Sequence, residues 1–249
     1  MTRRTLITGA SGGIGAATAI ALAQEGNDVW ITYASNKVAV QELSRECRAR
    51  GAADVRVSHL DLRNPESIAT LFREIDNEWG CLHVVINNAA VCKYAAFDQI
   101  GIEDWDETLE TNARGTFLMT RGALPLLREA QGEDRVIINV ASVAGQIGSV
   151  TTGIHYAASK GAILAITRSF ARALASEGIR VNAVTPGPVN TGITDKLDRD
   201  ARDGLAAAVP LGRFGTPSEV AWIIASLASS NAGFVTGATY DVNGGVRID

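Results

Sequence analysis

The sequence predicts an α/β protein: a single domain built on a doubly wound, mostly parallel sheet of about seven strands, with helices on both faces. Three observations predict it. Short runs rich in Val and Ile alternate with longer segments of helical periodicity, the pattern of repeated βαβ units. The first apolar run leads directly into a glycine turn and then an apolar helical stripe. Seven strand-like runs with about six helices between them do not suit a closed barrel, which needs eight of each. A chain of 249 residues, 46% of them hydrophobic, can bury a sizeable core as one domain over 1–249.

In chain order, the runs at 6–8, 29–33, 55–60, 84–87, 136–140, 181–184 and 239–242 read as strands. Helices are expected near 14–25, 37–50, 66–79, 103–130, 155–176 and 217–229. There is no repeat of fixed period and no low-complexity linker. In an open sheet of this kind ligands bind beyond the carboxyl ends of the strands, so functional residues should fall just after strands.

Composition narrows the function. A net charge of −4 argues against a broad nucleic-acid or anionic-membrane surface, which would need clustered Lys and Arg. Cys47, Cys81 and Cys92 are odd in number and widely spaced, so neither a disulfide framework nor a metal site is expected. Arg3 and Arg4 are followed by too short an apolar run for a signal peptide, and no stretch approaches the roughly 20 apolar residues of a membrane span. These readings place the chain in a reducing cytoplasm with a small-molecule substrate.

The first strand runs into Thr8-Gly9-Ala10-Ser11-Gly12-Gly13-Ile14-Gly15 and then a helix with Ile20, Leu22 and Ala23 on its apolar stripe. Glycines let the backbone turn tightly and approach a pyrophosphate, whose charge the helix N-terminus stabilises. The spacing differs from G-x-G-x-x-G, and the Lys-Ser/Thr pair of a P-loop is absent. Further on come Asp61-Leu62, Asn87-Asn88-Ala89-Ala90, Asn112-Ala113-Arg114-Gly115, Ser142, Tyr156-x-x-x-Lys160, Pro186-Gly187 with Thr191, and Asn243-Gly244-Gly245. Singly, several have plainer readings: Asp61 suits a helix cap and Asn88 a turn. As an ordered set covering essentially the full chain, they resemble the short-chain dehydrogenase/reductase family, which implies a Rossmann-like sheet.

That resemblance implies a dinucleotide bound by Gly9, Ser11, Gly12, Gly13, Ile14 and Gly15. Asp61 and Leu62 would meet the adenine, Asn88, Ala89 and Ala90 would wall the adenosine ribose, and Pro186, Gly187, Val189 and Thr191 would grip the carboxamide. Cofactor choice is read at the end of the second strand, where an acid would bind the 2′-hydroxyl of NAD. No Asp or Glu occurs between Val29 and Gln41. Tyr33, Ser35, Asn36 and Lys37 instead offer donors suited to the 2′-phosphate of NADP. NADP(H) is favoured. NAD(H) stays open, because Gly12 stands where many NADP-using relatives carry Arg.

Tyr156 and Lys160, four residues apart on a helix, project from one face. A free phenol has a pKa of about 10, and an adjacent ammonium that brought it to about 7 would supply roughly 4 kcal/mol. Tyr156 is therefore expected to be pulled down by Lys160 and to act as general acid–base. The resemblance adds Ser142, to orient the substrate oxygen, and Asn112, to hold a water linking Lys160 to solvent, and it counts Tyr156 and Lys160 among the cofactor contacts, Lys160 on the cofactor ribose. It implies hydride transfer between nicotinamide and a ketone or secondary alcohol. His155 should point about 100° away from Tyr156, which removes a serine–histidine reading. His59 and His83 read as structural.

Within the family the chain is most similar to 3-oxoacyl-acyl-carrier-protein reductases and related ketoreductases. An acidic carrier would dock on Arg128 or Arg172, although an acidic stretch over 129–134 follows Arg128. The segment from Ser142 to Tyr156 and a lid near 190–210 would shape the substrate. The helices near 103–130 and 155–176 and the tail over 233–249 resemble the family's homotetramer surfaces. An NAD-dependent alcohol or sugar dehydrogenase and a noncatalytic dinucleotide sensor are the competing readings.

Overall fold

The computed structural model describes residues 2–132, 134–149, 152–192 and 194–248, with Lys196 as backbone only. Glu133 of the acidic stretch, Ile193 of the expected lid and Asp249 of the tail lie outside the described residues.

Seven strands, β1 (Arg4–Ile7), β2 (Asp28–Tyr33), β3 (Val55–His59), β4 (Val84–Asn87), β5 (Arg135–Val140), β6 (Ile179–Pro186) and β7 (Thr239–Val242), form one sheet in the order β3-β2-β1-β4-β5-β6-β7. All pairs are parallel, with Thr5 opposite Val29 on one side and Val84 on the other. Strand order reverses between β1 and β4, so the loops leaving these two strands part and open a crevice. Helices on both faces bury β1, β4 and β5 almost completely, which is why they read as near-continuous apolar runs. Side chains alternate between two cores. Ile7, Ile31 and Ile138 pack with Leu22 of α1 (Gly13–Gln24) and Val40 of α2 (Lys37–Arg50). Leu6, Trp30 and Ile137 pack on the other face with Leu71 of α3 (Pro65–Trp79).

Helix starts follow local chemistry. Asn36 caps α2 by accepting from the Ala39 N–H at 3.0 Å, and Asn64 caps α3 ahead of Pro65. The single helix expected over 103–130 is corrected. It divides into α4 (Ile102–Thr108), a π-helical turn over Leu109–Arg114, and α5 (Gly115–Glu129). At the join, the Thr116 hydroxyl donates to the Asn112 carbonyl at 2.7 Å and draws it from the regular ladder.

The chain continues through a short α6 (Ala144–Ile147), the long α7 (Ile154–Leu174), α8 (Arg199–Ala207) and α9 (Pro217–Ala228). Thr216 and Glu219 form a capping box at the start of α9, whose Ile224 joins the α1 face of the core. Periodicity had not signalled α6 and α8, because each is short and α8 buries no residue. No helix among the described residues is long and apolar enough to cross a membrane.

Candidate active site

A cleft of about 1360 Å³ runs along the carboxyl ends of the strands, from the glycine turn past Tyr156 to α6 and α8. A single small ligand usually needs roughly 300–1,000 Å³, so this cleft has room for two.

Its floor is the β1 turn locked to the β4 turn. The Thr8 hydroxyl accepts from the Asn88 and Ala89 N–H groups at 3.0 Å each. The Asn88 amide donates back to the Thr8 and Gly9 carbonyls, also at 3.0 Å. Gly9 has φ +66°, and a Cβ there would stand 2.7 Å from the Ala89 backbone, so no other residue fits without displacing that turn. Gly15 packs beneath the loop against the Gly9 carbonyl and does not line the cleft. Gly9, Ser11, Gly12, Gly13, Ile14, Asn88, Ala89 and Ala90 do line it.

The donor set fits a dinucleotide. Side chains cap α2, α3 and α9, whereas α1 opens on Gly12 and Gly13 with no side-chain cap, leaving its first N–H groups and positive end facing the cleft. A Cβ on Gly12 would meet nothing within 4 Å, so the turn leaves space for a phosphate there.

At the adenosine end, Ser35, Asp61 and Leu62 line the cleft as expected. Tyr33, Asn36 and Lys37 do not. Tyr33 packs edge-on to His59 with centroids 5.6 Å apart, Asn36 is spent on its cap, and Lys37 opens α2 toward solvent. Arg63, which sequence reasoning missed, also borders the cleft and grips Asp61 through both guanidinium and backbone N–H. These bonds hold the Asp61 carboxyl below its ordinary range. His59, exposed, lines the same wall. Its position at the very end of β3 was the available signal.

At the other end, Ser142 follows β5 and its hydroxyl accepts from the Ala144 N–H at 3.2 Å. α7 brings Tyr156 and Lys160 to the cleft on one face. The Lys160 Nζ donates to the Val140 carbonyl at 2.8 Å and lies 5.6 Å from the Tyr156 ring centroid. His155 is fully buried, stays out of the cleft and lies against Gly153.

Asn112 is also fully buried, behind the cleft rather than in it. Its amide donates to the Val91 carbonyl at 2.9 Å and the Ser159 hydroxyl at 3.0 Å, and accepts from the Val91 N–H at 2.9 Å. Ser159 in turn donates to the Tyr156 carbonyl at 2.7 Å. Asn112 thus ties the turn after β4 to the backbone of Tyr156, and both its side-chain donors are used in doing so.

The expected depression of Tyr156 is corrected. Burial, with smaller contributions from Cys92 and Tyr94, raises its pKa well above the ordinary phenol value, against a hydrogen bond from Ser142 that lowers it. Burial also pushes Lys160 down to about 8. Lys160 is buried and Tyr156 half-buried, and the water each loses penalises ammonium and phenolate alike.

Pro186, Gly187, Val189 and Thr191 line the cleft after β6. The Thr194 hydroxyl holds this turn, donating to the Val189 carbonyl at 2.8 Å and accepting from the Thr191 N–H at 3.0 Å. Leu205, within the lid expected near 190–210, completes the far walls with Cys92, Tyr94 and Val246, none of which was singled out from sequence as a site residue.

Residues 9–247 match the model of the family described as enoyl-(acyl carrier protein) reductase. The chain is 35% identical to the 3-oxoacyl-[acyl-carrier-protein] reductase FabG of Staphylococcus aureus over 249 residues, covering 100% of this chain and 99% of that protein. It is 37% identical to the FabG of Thermotoga maritima over 245 residues, covering 98% and 97%. Among solved structures, it superposes with a TM-score of 0.90 and 30% identity on a blue fluorescent protein from a metagenomic library in complex with NADPH, covering 99% of this chain and 98% of that one.

Proposed function

The chain belongs to the short-chain dehydrogenase/reductase family, and from that premise we propose that it is an NADPH-dependent carbonyl reductase of the 3-oxoacyl type, working as one domain. The observation that carries this is the meeting of Ser142, Tyr156 and Lys160 at one end of a cleft whose other end is an uncapped helix N-terminus behind a glycine turn.

The bound nicotinamide supplies the hydride. Tyr156 delivers the proton to the substrate oxygen, and its raised pKa keeps the phenol in the proton-donating form at neutral pH. Ser142, held by the Ala144 N–H, turns its one hydroxyl proton from Tyr156 to the substrate oxygen and fixes that oxygen's position. Lys160, anchored on the Val140 carbonyl, sits where a proton lost by Tyr156 can be replaced. Asn112 acts through Val91 and Ser159 as a positioning residue.

For the cofactor, Ser35 and the lack of any acid at the end of β2 support NADP(H) over NAD(H). The test is initial-rate reduction of a 3-oxo ester with each reduced nicotinamide. A clear advantage for NADPH is expected, and an advantage for NADH would refute the assignment.

A homotetramer is supported by apolar groups left at the surface: Phe117 of α5 beside Phe170 of α7, with centroids 6.0 Å apart, together with Trp222 and Phe234. Docking of an acidic carrier has weaker support. Arg128 is already paired bidentately with Glu177 at 2.7 and 2.9 Å, which leaves exposed Arg172. The odd number and wide spacing of the cysteines support work in the cytoplasm.

A further inference from the structure

We propose that Asp241, which does not line the cleft, is a positioning residue for Ser142 and acts on it through Gln146 and the short helix α6; this rests on the carbonyl-reductase reading above. α6 spans only Ala144–Ile147, too short to hold its own place by helical hydrogen bonds. Two contacts pin it. On one side Gly145 lies against α7, where a Cβ would stand 2.5 Å from the Lys160 carbonyl carbon and 2.7 Å from the Gly161 nitrogen. On the other the Gln146 amide donates to the Asp241 carboxylate at 2.9 Å. Adjacent helical residues point about 100° apart, so the pair of contacts fixes the rotation of α6 as well as its place.

Asp241 is itself held on both oxygens. Its β7 position is opposite Thr185 of β6, whose hydroxyl donates to the same Oδ1 that takes Gln146. Arg247 of the tail donates to Oδ2 at 2.9 Å, a charge-assisted bond. The Gln146 Oε1 is buried and has no hydrogen-bond partner among the described residues, so the bond to Asp241 is what orients this side chain.

The link to chemistry is short. Ala144, the first residue of α6, supplies the N–H that the Ser142 hydroxyl accepts at 3.2 Å. Turning α6 carries that N–H, and with it the hydroxyl that meets the substrate oxygen. A misplacement of about 1 Å at a reacting centre can cost up to about 100-fold in rate. Ile147 and Val246 each adjoin a partner of Asp241 in the chain, and both line the cleft, so one carboxylate behind the wall sets two of its residues.

The test is reduction of ethyl 3-oxobutanoate with NADPH in variants of residues that lie outside the catalytic set. Gln146→Leu removes the donor at similar size, whereas Gln146→Lys keeps a donor that reaches the carboxylate. Gln146→Leu should lower kcat about tenfold with the NADPH dissociation constant, from fluorescence titration, within about twofold of the parent, and Gln146→Lys should restore most of the loss. Asp241→Ala should lower kcat by a similar factor, and adding Gln146→Leu to it should cost nothing further. In a Ser142→Ala background, Gln146→Leu should leave the residual rate within about twofold. An unchanged kcat in Gln146→Leu would overturn the proposal, and so would an equal loss with and without Ser142, which would mean that the contact supports the wall and not the hydroxyl. Should Asp241→Ala fail to fold, the Gln146 and Ser142 variants decide alone. A parent protein that binds NADPH yet reduces no 3-oxo ester refutes the reductase reading and this inference with it; an active parent matched by Gln146→Leu refutes this inference only.

Discussion

Tyr156 and Lys160 were legible from their spacing, but their electrostatics were not. Proximity suggested an ammonium pulling a phenol down, whereas loss of water moves the two pKa values apart: the phenol up, the ammonium down to about 8. Spacing along a helix says which groups meet and nothing about how much water they lose. A stability consequence follows for Lys160, because its folded pKa lies below its unfolded one. Below about pH 8 the buried ammonium is charged in both states and its desolvation works against folding; between there and its ordinary value only the unfolded chain keeps the proton, so stability rises with pH. A shift of this size is worth roughly 3 kcal/mol. Lys160→Met should therefore gain stability relative to the parent at pH 7 and lose that advantage by pH 10, as measured by urea unfolding of both proteins at the two values. A difference that does not change with pH would contradict the burial argument.

Most strands and helices could be placed from the sequence because buried parallel strands leave apolar runs and helices leave a 3.6-residue stripe. The exceptions share a cause: their geometry depends on tertiary hydrogen bonds that periodicity does not encode. The π turn over Leu109–Arg114 interrupts what reads as one helix, and this turn carries Asn112. Asn112 could be singled out by resemblance, but its partners come from the turn after β4 and from α7, which are remote in sequence. Asn36 and Lys37 are good phosphate donors by chemistry, yet Asn36 accepts from the Ala39 N–H as the cap of α2, Lys37 is exposed at its first turn, and neither lines the cleft. Asn112→Ala removes three hydrogen bonds made by a buried amide and leaves both Val91 polar groups without that partner, so a loss of about 2–4 kcal/mol is expected in chemical denaturation. A loss under about 0.5 kcal/mol would show that the clamp contributes little to the fold.

Across the whole molecule, the reversal of strand order between β1 and β4 sets the crevice, and each cluster of site residues arrives on a loop leaving a strand or on the first turns of α7. The cleft was thus foreseeable from topology and Leu205 falls in the lid expected near 190–210, whereas Cys92, Tyr94 and Val246 come from segments that carry no periodic signal. The exposed Phe117, Trp222 and Phe234 belong to this scale as well. Static light scattering is expected to give about four times the 26.2 kDa chain mass; a monomer at all concentrations would exclude the tetramer. The claim on which the account turns is that Tyr156 delivers the proton in a nicotinamide-dependent reduction. It is tested most directly by comparing NADPH oxidation with a 3-oxo ester in the parent protein and in Tyr156→Phe, alongside NADPH binding by fluorescence. The account predicts turnover in the parent, a fall of about 100-fold or more in the variant and retained cofactor binding; near-normal turnover in Tyr156→Phe would contradict it.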